Sequence, residues 1–138
     1  MIEFAARACA FFNGDFYWIQ SQSTGLIAVP EPSMEPMFLA PDASDEAIGE
    51  SISAALKASR MIAPAEFNKR WSAGEFSRLE AARENEAIDR FCYKNRKALR
   101  REMRLCWIIP IQIAVSASNT EIGEAVRKGF SLCQIGKK

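Results

Sequence analysis

The sequence contains no histidine among its 138 residues. Histidine is the commonest general base, the commonest metal ligand and the side chain whose charge changes near neutral pH. Its absence excludes Ser-His and Cys-His catalytic pairs, and the chain also lacks a glycine-rich phosphate loop. We therefore predict a protein that is not an enzyme and that has no catalytic residues and no cofactor.

Cysteine is scarce and dispersed along the chain. The four cysteines, Cys9, Cys92, Cys106 and Cys133, form no Cys-x-x-Cys pair, so a zinc site would require all four thiolates to meet in the fold. A disulfide framework is not expected in a domain of this size without an export signal. Each cysteine has apolar neighbours in the sequence, which predicts small buried side chains and no metal site.

Long hydrophobic runs are also missing. No apolar run approaches the ~18 residues that a membrane-spanning helix needs, and the first residues lack a basic leader followed by an apolar stretch. With 49% apolar and 25% charged residues, the composition is that of an ordinary globular domain. We expect one cytoplasmic domain over residues 1–138 that binds no membrane and no small-molecule substrate.

The clearest local pattern is an aromatic hairpin near the start of the chain. Asn13-Gly14 separates two arms rich in aromatic and aliphatic residues, 2–12 and 15–21, which predicts antiparallel strands joined by a two-residue turn. That turn sets Phe11 opposite Phe16 and makes both faces of the hairpin largely apolar. Each face therefore needs a cover, either from helices and loops of the same domain or, on one side, from another chain.

Two short strands and then helices are predicted after the hairpin. The strands lie at 25–29 and 37–40, and the PEPSMEP loop between them is expected to be stiff and exposed. Capping residues and apolar periodicity predict helices at 45–59, from Pro64 to Gly74, at 75–92 and at 119–133. The basic segment 93–104 either continues the third helix or begins another, and CWIIPIQIAV gives one strand or two broken at Pro110. The fold class is therefore α/β (α+β), with an antiparallel or mixed sheet that starts with the hairpin and is covered by three to four helices.

Two segments of the chain share a local pattern. Residues 43–60 and 117–134 each combine a capping serine, an acidic first turn and a glycine in the second turn, at Gly49 and Gly123. Glycine inside a helix costs about 1 kcal/mol relative to alanine. Its presence at the same place in both helices predicts a close approach of each helix backbone to a neighbour, most simply the sheet.

Basic residues are concentrated in one segment. They are Lys94, Arg96, Lys97, Arg100, Arg101 and Arg104. On a continuous helix the last four of these share one face. This stripe is a solvated surface, a phosphate-binding surface of a small nucleic-acid-binding protein, or a contact for an acidic partner or a second copy. A net charge of +1 and the acids at positions 80–89 argue against nucleic acid as the partner.

Several segments resemble the contact-dependent growth inhibition (CDI) immunity proteins. The stretch APDASDEAIGESISAALKASRMIAPAEF is similar to a family signature, whose positions are here Asp42, Ala43, Ser44, Asp45, Glu46, Ile48, Gly49, Ser59, Arg60, Pro64, Glu66 and Phe67. The segments AFFNGDFYWI, KNRKALRREMRLC and SNTEIGEAVRKGFSLC are similar to other family elements in order and spacing. The resemblance implies a compact bacterial α/β protein that binds and neutralises the toxic C-terminal domain of its cognate secreted effector. Such toxins are often nucleases, and an immunity protein has no catalytic residues.

Acidic residues dominate the first half of the chain. Residues 1–65 carry eight acidic and three basic side chains. Five of the acids lie within sixteen positions, on a loop and a helix N-terminus: Glu31, Glu35, Asp42, Asp45 and Glu46. A nuclease is basic where it holds phosphate, so these residues are the candidate toxin-binding site. The alternative is that Asp45 and Glu46 only complement the helix dipole and that the loop is solvated.

Overall fold

The computed structural model describes residues 6–108 and 118–132. These residues form five strands: β1 (Arg7–Phe12), β2 (Tyr17–Thr24), β3 (Ala28–Pro30), β4 (Met37–Leu39) and β5 (Arg104–Ile108). The strand order is β3-β2-β1-β5, all of the strand pairs are antiparallel, and β4 lies beside β3 along the same edge of β2. The predicted sheet that begins with the N-terminal hairpin is therefore confirmed.

The described residues also form five helices: α1 (Asp45–Ala58), α2 (Pro64–Ser72), α3 (Glu75–Arg90), α4 (Arg96–Arg100) and α5 (Asn119–Leu132). Ser44 caps α1 as predicted, since its side chain accepts a hydrogen bond from the N–H of Ala47 at 3.1 Å. The basic segment begins a short new helix, α4, and does not continue α3. The predicted break at Pro110 lies outside the described residues. Within the described ranges, no helix is long and apolar enough to cross a membrane.

The turn of the first hairpin is longer than predicted. Phe11 pairs with Trp18 and not with Phe16, so four residues connect β1 to β2. The Asn13 side chain explains this, because its Oδ1 accepts hydrogen bonds from the N–H groups of Asp15 (3.0 Å) and Phe16 (3.4 Å). The register differs from the predicted one by two residues, so each side chain keeps its predicted face.

Helices α1 and α5 cover one face of the sheet. The core between them and the sheet consists of Ala8, Ala10, Tyr17, Ile19, Ile48, Ile52, Ala55, Ile108, Ile122, Val126 and Phe130. The two helices run in opposite directions, since Ser53 Oγ hydrogen bonds to Asn119 Oδ1 (3.1 Å) while Asp45 pairs with Arg127 (2.7 Å). Burial of these apolar side chains is the main stabilising contribution on this face.

The two helical glycines lie where α1 and α5 meet. A Cβ atom at Gly49 would stand 1.7 Å from the carbonyl oxygen of Asn119, and one at Gly123 would stand 1.8 Å from that of Asp45. Asp45 and Asn119 occupy equivalent positions in the two similar segments, so the contact is reciprocal. The predicted close approach is confirmed, but the prediction that the sheet is the neighbour is wrong, because each helix approaches the other.

Helices α3 and α4 cover part of the opposite face. Phe16 from the hairpin turn is buried there and stacks on Phe91, with ring centroids 4.0 Å apart. The rest of this cluster is Phe11, Trp18, Phe38, Ala87, Ile88, Tyr93, Leu99 and Met103. Another part of this face is the floor of a cavity.

The cysteines are only partly in the core. Cys9 is buried as predicted, Cys106 is half-buried, and Cys133 lies outside the described residues. The prediction for Cys92 is wrong, because this residue is exposed. Helix α3 ends at Arg90, and Cys92 takes a left-handed conformation (φ 58°) in the turn that follows.

Candidate partner-binding surfaces

Glu31 lies inside the protein, contrary to the expectation of an exposed loop. Its carboxylate is fully buried and accepts hydrogen bonds from Ser23 Oγ at 2.7 Å and from the Ser33 N–H at 2.9 Å. Arg60 Nε forms an ion pair with it at 2.9 Å. In this fold the Glu31 carboxylate is therefore not exposed at the surface where a partner would bind.

The Glu31 carboxylate is ionised despite its burial. Burial alone raises its pKa, but the hydrogen bonds from Ser33 and Ser23 and the charge of Arg60 outweigh burial and hold the pKa below its ordinary value. These contacts join β2, the loop after β3 and the segment after α1. Glu31 therefore links these three segments of the fold to one another.

Asp45 is also engaged within the protein. Its Oδ1 pairs with Arg127 Nε at 2.7 Å, and the same guanidinium donates to the Ala43 carbonyl oxygen at 2.7 Å and to the Tyr17 hydroxyl at 3.2 Å. Asp45 stays partly exposed. It fastens α5 to the start of α1, in addition to its favourable place at a helix N-terminus.

Three of the predicted contact residues remain exposed. They are Glu35, Asp42 and Glu46, named here the acidic trio. Within the part of the chain that the structure describes, the acidic trio forms no hydrogen bond or ion pair through its side chains. The structure thus separates the five predicted acids into two that hold the fold and three that are available to a partner.

The predicted stripe of four cations does not form. Helix α4 ends at Arg100, and Arg104 lies in β5, where its side chain donates to the carbonyl oxygen of Phe130 at 3.3 Å. Arg96 and Arg100 both pair with Glu84, at 2.9 and 2.5 Å. Two of the six cations of this segment are therefore engaged by one carboxylate of α3, which weakens the alternative of a phosphate-binding surface.

A cavity of about 570 Å³ opens on the partly covered face of the sheet and is named here the trough. Its floor is made by side chains of the two central strands: Cys9, Phe11, Trp18, Gln20 and Gln22. Its wall comes from the middle of α3 and from α4. Trp107 lines the trough from β5, which pairs with β1. The volume lies within the ~300–1,000 Å³ of ordinary ligand pockets.

The floor of the trough is not suited to nucleophilic chemistry. Gln22 Nε2 donates a hydrogen bond to Cys9 Sγ at 2.9 Å. Burial raises the pKa of the Cys9 thiol to about 12, against the lowering effect of hydrogen bonds from Gln22 and Gln20. The thiol is therefore neutral at physiological pH. In the described ranges, no group of three or more Cys, Asp or Glu side chains is arranged to hold a metal ion.

Four charged residues form the wall of the trough, and three of them have partners. Arg83 donates to Gln20 Oε1 (3.1 Å) and to the carbonyl oxygens of Glu31 (2.9 Å) and Met34 (2.6 Å). Arg100 and Glu84 pair with each other. The carboxylate of Glu80 has no hydrogen bond or ion pair with any residue that the structure describes.

Sequence reasoning did not identify the trough. Its floor comes from alternate positions of β1 and β2, while its wall comes from a helix about sixty positions further along the chain. The available signal was the apolar character of both hairpin faces, which required a cover on each side. Helices of this chain cover one face of the hairpin. On the other face they cover only a part, and the trough lies in the part that remains open.

Comparisons with known proteins give one family and one fold. A family model described as "CDI immunity protein" matches residues 6–111. The chain is similar to one in the structure described as "CdiA-CT/CdiI toxin and immunity complex from Yersinia pseudotuberculosis", with a TM-score of 0.83, 19% identity, and coverage of 97% of this chain and 100% of that one. It is equally similar to a protein of unknown function, NMB0488, from Neisseria meningitidis, with a TM-score of 0.83, 19% identity, and coverage of 97% and 98%. No curated protein matches.

Proposed function

This chain belongs to the CDI immunity protein family, and from that premise we propose that it binds and neutralises the toxic C-terminal domain of a cognate CDI effector. The family match over more than half of the chain carries the proposal. We also propose that residues 1–138 form one immunity domain, and that this domain acts in the cytoplasm, where it meets the toxin. We further propose that this toxin is a nuclease, which the exposed acidic trio supports, because a nuclease is basic where it holds phosphate.

Neutralisation of this kind is achieved by binding alone. Tight association either covers the active site of the toxin or holds the toxin inactive from a neighbouring surface. The absence of histidine from the sequence and the neutral Cys9 thiol agree with a protein that performs no catalysis. One immunity protein therefore inhibits one toxin domain, and protection depends on their ratio.

The direct test is co-expression with the toxin domain encoded by the adjacent reading frame. Co-purification of the two chains at a one-to-one ratio, with no retardation of the free protein by RNA, is the expected result. The competing function is nucleic-acid binding through the basic segment, and it predicts retardation by RNA with a steep dependence on salt. RNA binding without co-purification would refute the proposed function.

We propose that the acidic trio accelerates the encounter with the toxin. The double reversal Glu35→Lys/Asp42→Lys is expected to lower the association rate constant about 10-fold at low salt and to leave the dissociation rate nearly unchanged, since exposed charges act mainly on the encounter. The difference is expected to shrink at high salt, because exposed charges are screened. Stopped-flow or surface-based kinetics with the purified toxin domain measure both rates.

A matched control separates local steering from a change of net charge. Glu86→Lys/Asp89→Lys alters the net charge by the same amount on exposed positions of α3. This variant should associate with the toxin domain much faster than Glu35→Lys/Asp42→Lys does. Equal association rates for the two variants would show that the acidic trio has no special place in the encounter.

A further inference from the structure

We propose that the trough is a docking site that receives an arginine or lysine side chain of the toxin domain, with Glu80 as its charge partner and Trp107 as its aromatic contact. This inference deepens the proposed function and rests on it. It assigns the anchoring contact to the face of the hairpin that helices of this chain cover only in part. The acidic trio would then govern the encounter, and the trough would govern how long the complex lasts.

The composition of the trough is typical of a binding hot spot. Tryptophan, arginine and tyrosine are the residues that most often dominate binding energy at protein interfaces, in pockets that exclude water. The buried Trp18 and the partly buried Phe11 provide an aromatic floor, and Trp107 lines the same cavity while 46% of its surface is exposed. A half-exposed tryptophan beside a pocket with an aromatic floor is a surface that a partner side chain gains by covering.

Charge selects the occupant of the trough. In its wall, Glu84 and Arg100 pair with each other, and the Arg83 guanidinium is held by three neutral oxygen atoms. Glu80 is therefore the one carboxylate of the wall that has no hydrogen bond or ion pair with a described residue. A cation that enters the trough gains a charge-assisted hydrogen bond to Glu80, whereas an anion meets repulsion from it.

The shape of an arginine or lysine side chain also fits the trough. Its apolar stem packs against aromatic rings while its charged end reaches a polar group. The face of Trp107 adds a cation–π contact, and the carboxylate of Glu80 lies on the wall of the same cavity.

The test uses the full-length protein and the purified toxin domain. Glu80→Gln keeps the size of the side chain and removes its charge, and Trp107→Ala removes the ring. Each variant is expected to raise Kd at least ~10-fold, mainly through a faster dissociation rate, as for other anchor residues. The dissociation rate of the unmodified protein should rise with salt, and that of Glu80→Gln should depend on salt much less, since its charge pair is absent.

Matched controls are available on the same chain. Trp71 is exposed to a similar extent (52%) but does not line the trough, and Glu86 is an exposed acid on the same helix as Glu80. Trp71→Ala and Glu86→Gln are expected to leave the Kd within about 3-fold of the unmodified value, a smaller effect than a hot-spot residue has. Circular dichroism and melting temperatures establish that all four variants fold, which is expected because the substituted side chains are exposed.

The outcomes separate this inference from the proposed function. If the unmodified protein does not bind the toxin domain, the proposed function fails, and the inference fails with it. If the unmodified protein binds and the Glu80 and Trp107 variants bind equally well, the trough is not the docking site and the proposed function stands. If these variants change only self-association, measured by sedimentation, the occupant is a second copy and the inference is overturned.

Discussion

Replacing Gly49 with alanine is expected to lower the free energy of unfolding by about 3 kcal/mol, at the upper end of the cost of overpacking a core. The added methyl group would stand 1.7 Å from the carbonyl oxygen of Asn119, and backbone cannot rotate away as a side chain does. Helices α1 and α5 would have to separate, and the apolar core beneath them would loosen. Because the contact is reciprocal, Gly123→Ala is expected to have an effect of similar size. Urea denaturation at neutral pH measures both.

Gly129→Ala in α5 is the matched control for this prediction. Among the described residues, the Cβ atom there would meet only the Cys106 sulfur, at 3.2 Å, and a side chain accommodates a shift of a few tenths of an ångström. Alanine is favoured over glycine by about 1 kcal/mol inside a helix, so this variant should be neutral or slightly more stable. A loss of stability at Gly129 as large as at Gly49 would contradict the helix contact as the cause.

Replacing Glu31 with glutamine is expected to destabilise the protein by about 2 kcal/mol at pH 7, the cost of losing hydrogen bonds and an ion pair to a buried charged group. We do not expect the larger cost of a wholly buried ion pair, because Arg60 is partly exposed and water compensates it. Thermal or urea unfolding of the two proteins gives the difference. The control is Glu66→Gln, which removes a partly exposed partner of the same arginine and should have a much smaller effect.

The pH dependence of this difference has a definite sign. The pKa of Glu31 in the folded protein lies below its ordinary value of 4.5, so the contribution of Glu31 is complete above pH 4.5. It is lost as the pH falls through the lower, folded-state pKa. The gap between the unmodified protein and Glu31→Gln should therefore close in acid. A gap that stays constant down to pH 3 would mean that charge is not what stabilises the network.

The parts of the fold that follow local rules were predictable from the sequence. Ser44 caps α1, and Ser118 and Glu121 form the expected capping box, with hydrogen bonds of 3.2 Å in each direction. Gly74 separates α2 from α3 with a positive φ of 70°. Each of these signals acts within a few residues of the chain, so the sequence alone contains the relevant interactions.

The parts that depend on distant residues were not predictable. The hairpin register depends on Asn13, whose side-chain amide also donates to the Tyr93 hydroxyl and to the Leu99 carbonyl oxygen, more than seventy positions away. The burial of Glu31 depends on Arg60, which follows a later helix. A glutamate in a proline-rich loop gives no local sign that an arginine will reach it.

The candidate site is also divided into residues that were visible in the sequence and residues that were not. The acids of the acidic trio were identified because their charge and spacing are visible in the sequence, and the structure leaves them exposed. The trough requires β1, β2, β5 and α3 to be assembled before its residues become neighbours. Glu80 has no distinguishing feature in the sequence. Only the positions of the neighbouring side chains in the wall show that its carboxylate has no partner in the described part of the chain.

Survival of bacteria that produce the toxin inside the cell tests the central claim most directly. Cells that express the toxin domain of the adjacent gene together with this protein should grow normally, and cells that express the toxin domain alone should die. Protection should require at least as many immunity molecules as toxin molecules, because binding is stoichiometric. Equal killing in the two cultures, with both proteins shown to be present and folded, would contradict the account.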